Sequence, residues 1–333
     1  MKALLCTELG SLDKLSVQDL PSPRPGPHQV LIEVKASSIN FPDALMVKGL
    51  YQVKPPLPFC PGAELAGVVK ELGPQVSDLA VGDRVIAFCG QGGFAEECLA
   101  PADRLLPLPS GMDFDVGAAF GLTYCTSLHA LQERAQLKPG ETLLVLGAAG
   151  GVGLAAVEIG KILGARVIAA ASSDDKLALC VEAGASETIN YGSGDLRRRL
   201  KDLAGDRGVD VVYDPVGGAY SEIALRATGW GGRLLVVGFA SGEIPAIPLN
   251  LALLKERSII GVYWGDWTRQ DPAGHLRNVQ QLADWFAAGK IHPVISERVS
   301  LADTPAAMAR LTARQVKGKV VVLPSGTGEG RPT

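Results

Sequence analysis

The chain has 333 residues, enough for about two domains at roughly 150 residues each. Lys and Arg (32) nearly balance Asp and Glu (35), leaving a formal charge of −3, so the basic surplus that holds nucleic acid is missing. Apolar residues at 47% against 20% charged exclude a disordered chain, and no apolar run reaches the roughly 18 residues that cross a bilayer.

Residues 1–7 read as a strand, without the apolar core of a signal peptide or an Arg-rich transit segment. Pro21-Ser22-Pro23-Arg24-Pro25-Gly26-Pro27 forbids regular helix or central strand, and 29–36 reads as the next strand. Further short strands are predicted over 62–70 and 84–88, between Gly-Pro and Val-Gly-Asp turns. Residues 1–110 thus form a β-rich domain with little helix. From Met112 the pattern changes: apolar residues at helical spacing predict a helix over 114–135.

A strand–helix alternation follows. Strands are predicted over 142–147, 166–171, 188–190, 209–213, 232–237 and 258–262, with helices over 152–163, 174–183, 196–203 and 220–227. Continuous apolar strands alternating with helices predict an α/β fold with a parallel, doubly wound sheet covered on both faces. After Tyr263 the rhythm stops. Helices over 278–288 and 304–313 and a last strand over 319–323 remain, with a Gly-rich, fraying tail at 325–333. The simplest layout inserts a cofactor domain between two pieces of one β-rich domain.

Leu143-Leu144-Val145-Leu146-Gly147 runs into Ala148-Ala149-Gly150-Gly151-Val152-Gly153 and then a helix. This is the strand–turn–helix setting of a dinucleotide fingerprint, with Ala148 in place of its first Gly. Gly150 lets backbone approach a pyrophosphate, Gly153 lets the helix pack close, and the helix N-terminus offers N–H groups to phosphate. NAD binders carry an acid at the end of the second strand. Here that strand reads Val167-Ile168-Ala169-Ala170-Ala171-Ser172-Ser173, so a 2′-phosphate is tolerated. Lys176, set against the dipole of the next helix, is placed to bind one. The bland alternative makes Ser173 an N-cap and Lys176 a solvated charge, and Asp174 and Asp175 weigh on that side.

Other chemistries find little support. The histidines (28, 129, 275, 292) form no cluster, the six cysteines (6, 60, 89, 98, 125, 180) make no C-x-x-C pair, and there is no G-x-S-x-G elbow. Scattered thiols in a chain this long read as reduced and buried, in a cytoplasmic setting. Arg197-Arg198-Arg199 reads as a solvated helix face.

A set of motifs spans Met1 to about Pro324. They are Ser37-Ser38-Ile39-Asn40-Phe41-Pro42-Asp43, Gly49-Leu50-Tyr51, Pro61-Gly62-Ala63-Glu64, Val81-Gly82-Asp83-Arg84-Val85 and Gly121-Leu122-Thr123. Downstream come the 148–153 turn, Ile189-Asn190-Tyr191, Asp214-Pro215-Val216-Gly217-Gly218 and Gly318-Lys319. Together they resemble the zinc-independent NADPH:quinone oxidoreductases, the ζ-crystallin-like group of the medium-chain dehydrogenase/reductase superfamily. The resemblance implies a GroES-like β-rich catalytic domain (1–120 and 264–333) and a six-stranded Rossmann NADPH-binding domain (121–263). It also implies a homodimer paired through the last strands of its cofactor domains. Zinc is not expected, because Asn40 and Ala63 stand where zinc-dependent members place Cys and His. Glu158 and Pro215 depart from the group, which commonly has Gln at the first and can offer a hydroxyl at the second.

Carried over by position, Asn40, Asp43 and Tyr51 line the nicotinamide and substrate cleft, and Thr123 lies near the reactive end of the cofactor. Ala149, Gly150, Gly151 and Val152 form the pyrophosphate turn. Ser172, Ser173, Lys176 and Tyr191 belong to the 2′-phosphate end. Gly238, Phe239, Ala240 and Ser241 lie along the nicotinamide side, as do Val262, Tyr263 and Trp264, while Arg314 and Lys319 contact the cofactor from the C-terminal segment. The shape that selects the acceptor is assigned to loops at 41–60 and 263–275.

Hydride transfer to a quinone builds negative charge on oxygen, and a donor aimed there lowers the barrier. Tyr51 is the best donor nearby, since a phenol keeps its proton at neutral pH; its other reading is a ribose or wall contact. Asn40 orients an amide or a substrate oxygen, or simply ends its strand, and Asp43 is better suited to fixing backbone than to acting as a base. Tyr263, Trp264 and Trp267 offer aromatic faces, for a flat ring or for packing. Two alternatives stay open: NADPH-dependent reduction of an activated C=C bond in an enone, alkenal or enoyl thioester, and an NADPH-binding crystallin-like or RNA-binding protein without turnover. The expected partner is a small-molecule quinone or enone, with no nucleic acid and no membrane.

Overall fold

The computed structural model describes residues 1–326. Of the tail expected at 325–333, the part from 327 lies outside the described residues. Internal contacts divide the chain into two units, Met1–Leu122 with the stretch from Pro293 onward, and Thr123–His292.

The first unit opens with an antiparallel ribbon of β1 (Lys2–Cys6) and β2 (Leu15–Asp19). Then come β3 (Gln29–Ser38), α1 (Phe41–Val47), β4 (Leu65–Leu72), β5 (Arg84–Ala87), β6 (Glu97–Pro101), β7 (Leu105–Pro107) and α2 (Phe114–Leu128). A helix at 41–47 replaces the expected loop, and local chemistry explains it. Pro42 sits in the first turn, where its missing N–H costs nothing, and the Asp43 carboxylate accepts from the Asn40 N–H at 2.7 Å. The helix predicted over 114–135 is α2 followed by a π-helical turn, His129–Arg134, with Ala135 N–H bonded to the Ala130 carbonyl at 2.8 Å.

The second unit alternates β8 (Thr142–Leu146), α3 (Gly151–Ile162), β9 (Arg166–Ala171), α4 (Asp174–Glu182), β10 (Glu187–Asn190) and α5 (Leu196–Ala204). It continues through β11 (Val209–Asp214), α6 (Ala219–Ala227), β12 (Thr228–Val236), α7 (Asn250–Leu253), β13 (Ser258–Gly261), α8 (Trp264–Gln270) and α9 (Pro272–Ala287). Its sheet runs β10-β9-β8-β11-β12-β13, all neighbours parallel, which is the doubly wound order expected of a Rossmann domain. The order reverses between β8 and β11, and a ligand crevice lies beyond the carboxyl ends of strands at such a point. Residues 264–292, expected with the β-rich domain, group instead with this unit. Trp267 stacks on His129 with ring centroids 4.1 Å apart, and Asn278 Nδ2 donates to Glu133 Oε2 at 3.1 Å.

The chain returns to the first unit with β14 (Ile295–Val299), α10 (Thr304–Thr312) and β15 (Lys319–Val322). The first unit's larger sheet is ordered β14-β15-β3-β4-β5-β7, and β6 also pairs with β3. Among the described residues no helix is long and apolar enough to cross a membrane.

Candidate cofactor and active site

The glycine turn of the second unit is built for close approach. β8 is buried along its length and delivers the chain to Gly147, whose φ of 56° suits glycine. A Cβ on Gly153 would lie 2.4 Å from the Gly147 carbonyl oxygen, so α3 sits against the turn only because residue 153 has no side chain. Gly150 is different. Its nearest protein atom would be the same oxygen at 3.5 Å, an ordinary contact. Packing does not demand glycine at 150, and the bare backbone there suits an approaching phosphate. The first amides of α3 find no acceptor in their own helix and complete an anion site. The residues present therefore fit a dinucleotide.

Neighbouring loops gather at the same end of the sheet. Asp214 closes β11 buried, its Oδ1 accepting from Val216 N (2.8 Å) and Gly217 N (2.9 Å) and its Oδ2 from Ser221 Oγ (2.5 Å). Over that turn lies 238–241, with Ala240 N bonded to Pro215 O (3.0 Å) and Ser241 N to Val216 O (2.8 Å). Val216 in turn approaches Gly147. The 147–153 turn, the 214–218 turn and the 238–241 segment thus come together.

At the end of β9, Lys176 Nζ donates to Ser172 Oγ at 3.1 Å, and Tyr191 N bonds to the Ala171 carbonyl at 3.0 Å. Ser172, Lys176 and Tyr191 are brought together across a span of twenty residues, and the Tyr191 ring leans on Tyr220 (4.8 Å). The nearby acids are engaged: Asp174 accepts from Asn190 Nδ2 at 2.7 Å, and Asp175 accepts from the Ser173 hydroxyl. Ser173 does precede α4 as its N-cap residue, but its side chain caps no amide.

Thr123 is buried in α2 and Val262 is half-buried after β13. Tyr263 is exposed. Trp264 is buried and makes a T-shaped contact with His275 (5.6 Å between ring centroids), so its bulk serves the packing of the second unit. The stretch assigned as a loop at 263–275 is helical over most of its length, as α8 and the start of α9.

The first unit holds a buried polar cluster. Lys319 Nζ donates to Asn40 Oδ1 at 2.6 Å and to the Ile39 carbonyl at 3.2 Å. Asn40 Nδ2 donates to the Ser38 carbonyl and hydroxyl, both at 3.2 Å, and more weakly to Glu64 Oε2 at 3.4 Å. Glu64 also accepts from Ser38 Oγ (2.8 Å) and, through Oε1, from Leu122 N (2.6 Å). Asp43 Oδ1 accepts from Ala63 N at 3.0 Å. Burial pushes Asp43 up to about 7, against the pull of its backbone hydrogen bonds and the Lys319 charge. Burial likewise raises Glu64 and lowers Lys319. Tyr51 is half-buried against an apolar core that includes Met46 and Phe59. Arg314 is exposed just after α10, at a φ of 60°.

Glu64 and Ser38 had no role in the sequence reading. The available signal was an acid inside the apolar stretch Ala63-Glu64-Leu65-Ala66, where an ionisable group needs polar partners. The same cluster does not fit zinc. The oxygen of Asn40 is committed to Lys319, its nitrogen to Ser38, and Ala63 has no ligating atom. Among the described residues no group of three or more His, Cys, Asp or Glu is placed to hold a metal.

Two family models match the chain: an alcohol dehydrogenase GroES-like domain over residues 26–110 and a zinc-binding dehydrogenase over 151–281. The chain is 40% identical over 328 residues to the quinone oxidoreductase-like protein 2 homolog of Nematostella vectensis, covering 96% of this chain and 88% of that one. It is 35% identical over 330 residues to the quinone oxidoreductase of Rattus norvegicus, covering 97% and 98%. The crystal structure of Escherichia coli quinone oxidoreductase complexed with NADPH superposes with a TM-score of 0.91 at 29% identity, covering 97% of this chain and all of that one. On this likeness in sequence and in fold, the chain belongs to the quinone oxidoreductase group of the medium-chain dehydrogenase/reductase superfamily.

Proposed function

We propose that the protein is an NADPH-dependent reductase that passes a hydride from the nicotinamide to a quinone. The observation that carries this reading is the meeting of Ser172, Lys176 and Tyr191 beyond a second strand that ends without an acid. A carboxylate there would repel a 2′-phosphate, whereas an ammonium and a hydroxyl attract it.

NADPH, when bound, supplies the hydride; the chain supplies position and electrostatics. In this reading Ala149, Gly150, Gly151 and Val152 hold the pyrophosphate, and Ser172, Ser173, Lys176 and Tyr191 hold the 2′-phosphate. Thr123, Gly238, Phe239, Ala240, Ser241, Val262 and Tyr263, with the backbone at Trp264, position the nicotinamide half, and Arg314 contributes from the C-terminal segment. Tyr51 donates to the acceptor oxygen. Asn40 presents its amide, fixed on one side by Lys319 and on the other by Ser38. Asp43 is a positioning residue, because both its oxygens are spent on the amides of Asn40 and Ala63.

The homodimer belongs to the same proposal. β13 is the sheet's last strand, and exposed apolar side chains accompany it: Ile259 on β13, Trp230 on β12 and Leu253 on α7. An edge strand with such neighbours is suited to pairing with a second copy. A cytoplasmic location is proposed on the six free thiols.

Parallel calorimetric titrations with NADPH and NADH, with and without EDTA, test the cofactor reading, and a panel of quinones against enones and alkenals then tests the acceptor. Tighter NADPH binding that the chelator leaves alone, with turnover of quinones, is the expected result. Equal or tighter NADH binding removes the 2′-phosphate site, and turnover of enones but not quinones reassigns the acceptor.

A further inference from the structure

Three of the six cysteines, unconnected in sequence, meet in the first unit. The segments 60–63 and 90–94 are zipped by backbone hydrogen bonds: Gly92 N to Cys60 O (2.7 Å), Gly93 N to Gly62 O (2.9 Å), Phe94 N to Pro61 O (3.0 Å) and Gly90 N to Ala63 O (3.1 Å). Thiols sit in this zip. Cys89 Sγ lies 3.3 Å from the Gly62 carbonyl, and Cys60 Sγ lies 3.3 Å from Phe94 O and 3.4 Å from Pro61 O. Cys98, on β6, points back at the loop: a Cβ on Gly92 would be 3.0 Å from its Sγ. Positive φ at Gly90 (76°) and Gly92 (97°) turns the chain so that residues nine apart come together. Cys98 and Cys89 pack side by side in one apolar core, and the Cys98 Sγ also lies 3.4 Å from the Leu99 carbonyl.

The three thiols are not equivalent. Cys60 is tied to two carbonyls, and burial beside Cys89 pushes it up to about 12. Cys98 is fully buried, and neighbouring Cys89 together with burial holds it well above the ordinary thiol range. Cys89 is half-buried with a single carbonyl contact. Cys60 and Cys89 are both half-buried, but Cys60 is held by two carbonyls, so Cys89 is the member that an oxidant reaches, and buried Cys98 is the neighbour that resolves it.

We propose that Cys89 and Cys98 form a reversible disulfide driven by a hydroperoxide. The Cys89 thiolate attacks a peroxide oxygen, the O–O bond breaks, and the departing oxygen takes a proton to leave as water or an alcohol. Cys89 is then a sulfenic acid, oxidised by two electrons while the peroxide is reduced by two. Cys98 sulfur displaces the hydroxyl group, its own proton leaving with it as water, and the S–S bond forms. A dithiol reductant restores both thiols by exchange. The bond closes the 89–98 loop beside residues 60–63, where the Ala63 amide holds Asp43. Neither step involves the cofactor, so the proposal stands apart from the reductase reading.

The test uses the whole protein without its cofactor. It is treated with a small molar excess of hydrogen peroxide, unfolded in N-ethylmaleimide, weighed intact and mapped by peptides. Four alkylated cysteines instead of six are expected, with one cross-link joining 89 to 98, and dithiothreitol should return all six. In C98S the cross-link disappears and Cys89 becomes trappable by dimedone, whereas C180S, a buried thiol of the second unit, keeps the cross-link. Six alkylated cysteines after peroxide, a cross-link through Cys60, or one between two chains overturns the proposal. The wild-type count needs no variant to fold.

Discussion

Lys319 is the only cation of a buried cluster that contains two carboxyl groups, and replacing it gives a pH-dependent loss that can be calculated beforehand. Asp43 is raised from 3.8 to about 7 even with Lys319 present. A carboxyl raised on folding contributes stability that is fully present below its unfolded value and is lost as pH climbs through its folded value. In the wild type that window runs from 3.8 to about 7 and is worth about 4 kcal/mol at about 1.4 kcal/mol per pH unit. K319M removes the ammonium that draws both carboxyls down, so Asp43 and Glu64 rise further and their ionisation costs more. Deleting one partner of a buried charge network costs about 3–5 kcal/mol when the others are ionised. A unit of this size shifts by roughly 2–4 °C per kcal/mol, so Tm at pH 8 should fall by roughly 6–20 °C. At pH 5 Asp43 is protonated with or without Lys319, and a smaller part of that loss should remain. Thermal melts of wild type and K319M from pH 5 to 8 read the difference directly, and K319M/D43N should flatten it. A difference between wild type and K319M that is constant with pH, or largest at pH 5, refutes the electrostatic account of the cluster.

Four further outcomes are expected. K176A should weaken NADPH binding by about 10- to 100-fold, the loss of one charge-assisted contact, and leave NADH unchanged in the same calorimeter. G153A sets a Cβ 2.4 Å from a carbonyl oxygen and 2.8 Å from Ala148 Cα, backbone that cannot yield cheaply; a loss of about 1–3 kcal/mol in melts should accompany weaker NADPH binding. Y124F removes the hydroxyl that holds buried Glu158 at 2.5 Å, so a carboxyl already raised by burial rises further. Stability should fall by about 1–3 kcal/mol at pH 8 and less at pH 5, read by melts at the two pH values. I259K, on the edge strand β13, should convert a particle of two chain masses to one in light scattering and remove the concentration dependence of Tm.

The Rossmann half was legible because its signals are local. Uninterrupted apolar strands, glycines in a strand–turn–helix setting and the missing acid after Ala171 all lie within short windows. The Lys319 cluster was not legible, since its members come from the end of β3, the start of α1, the turn before β4 and the final strand. Only strand pairing, with Val321 opposite Ser38, puts residue 319 beside residue 40. The thiol group at 60, 89 and 98 escaped for the same reason. Helix α1 escaped for another: Phe41-Pro42 reads as a break until Asp43 is seen to accept the Asn40 amide. The boundary expected at residue 264 lay at 292/293 because α8 and α9 anchor on His129 and Glu133, contacts that no periodicity announces.

The pairing of β15 with β3 also sets an order of events during synthesis. The second unit is a continuous segment, 123–292, and all six strands of its sheet are available once that segment has emerged. The first unit has to wait. Strand β3 already pairs with β4 and β6, but Ser37 and Ser38 at its end lack their β15 partners, and Asp43 and Glu64 have no Lys319 ammonium near them, until residues 319–322 are free of the ribosome. A chain cut short before residue 319 therefore holds one finished unit and one sheet whose β3 end lacks its partner, a template for pairing with other chains. Released chains ending just before residue 319 and just after residue 322 should differ sharply in protease resistance of residues 1–122 and little in that of 123–292.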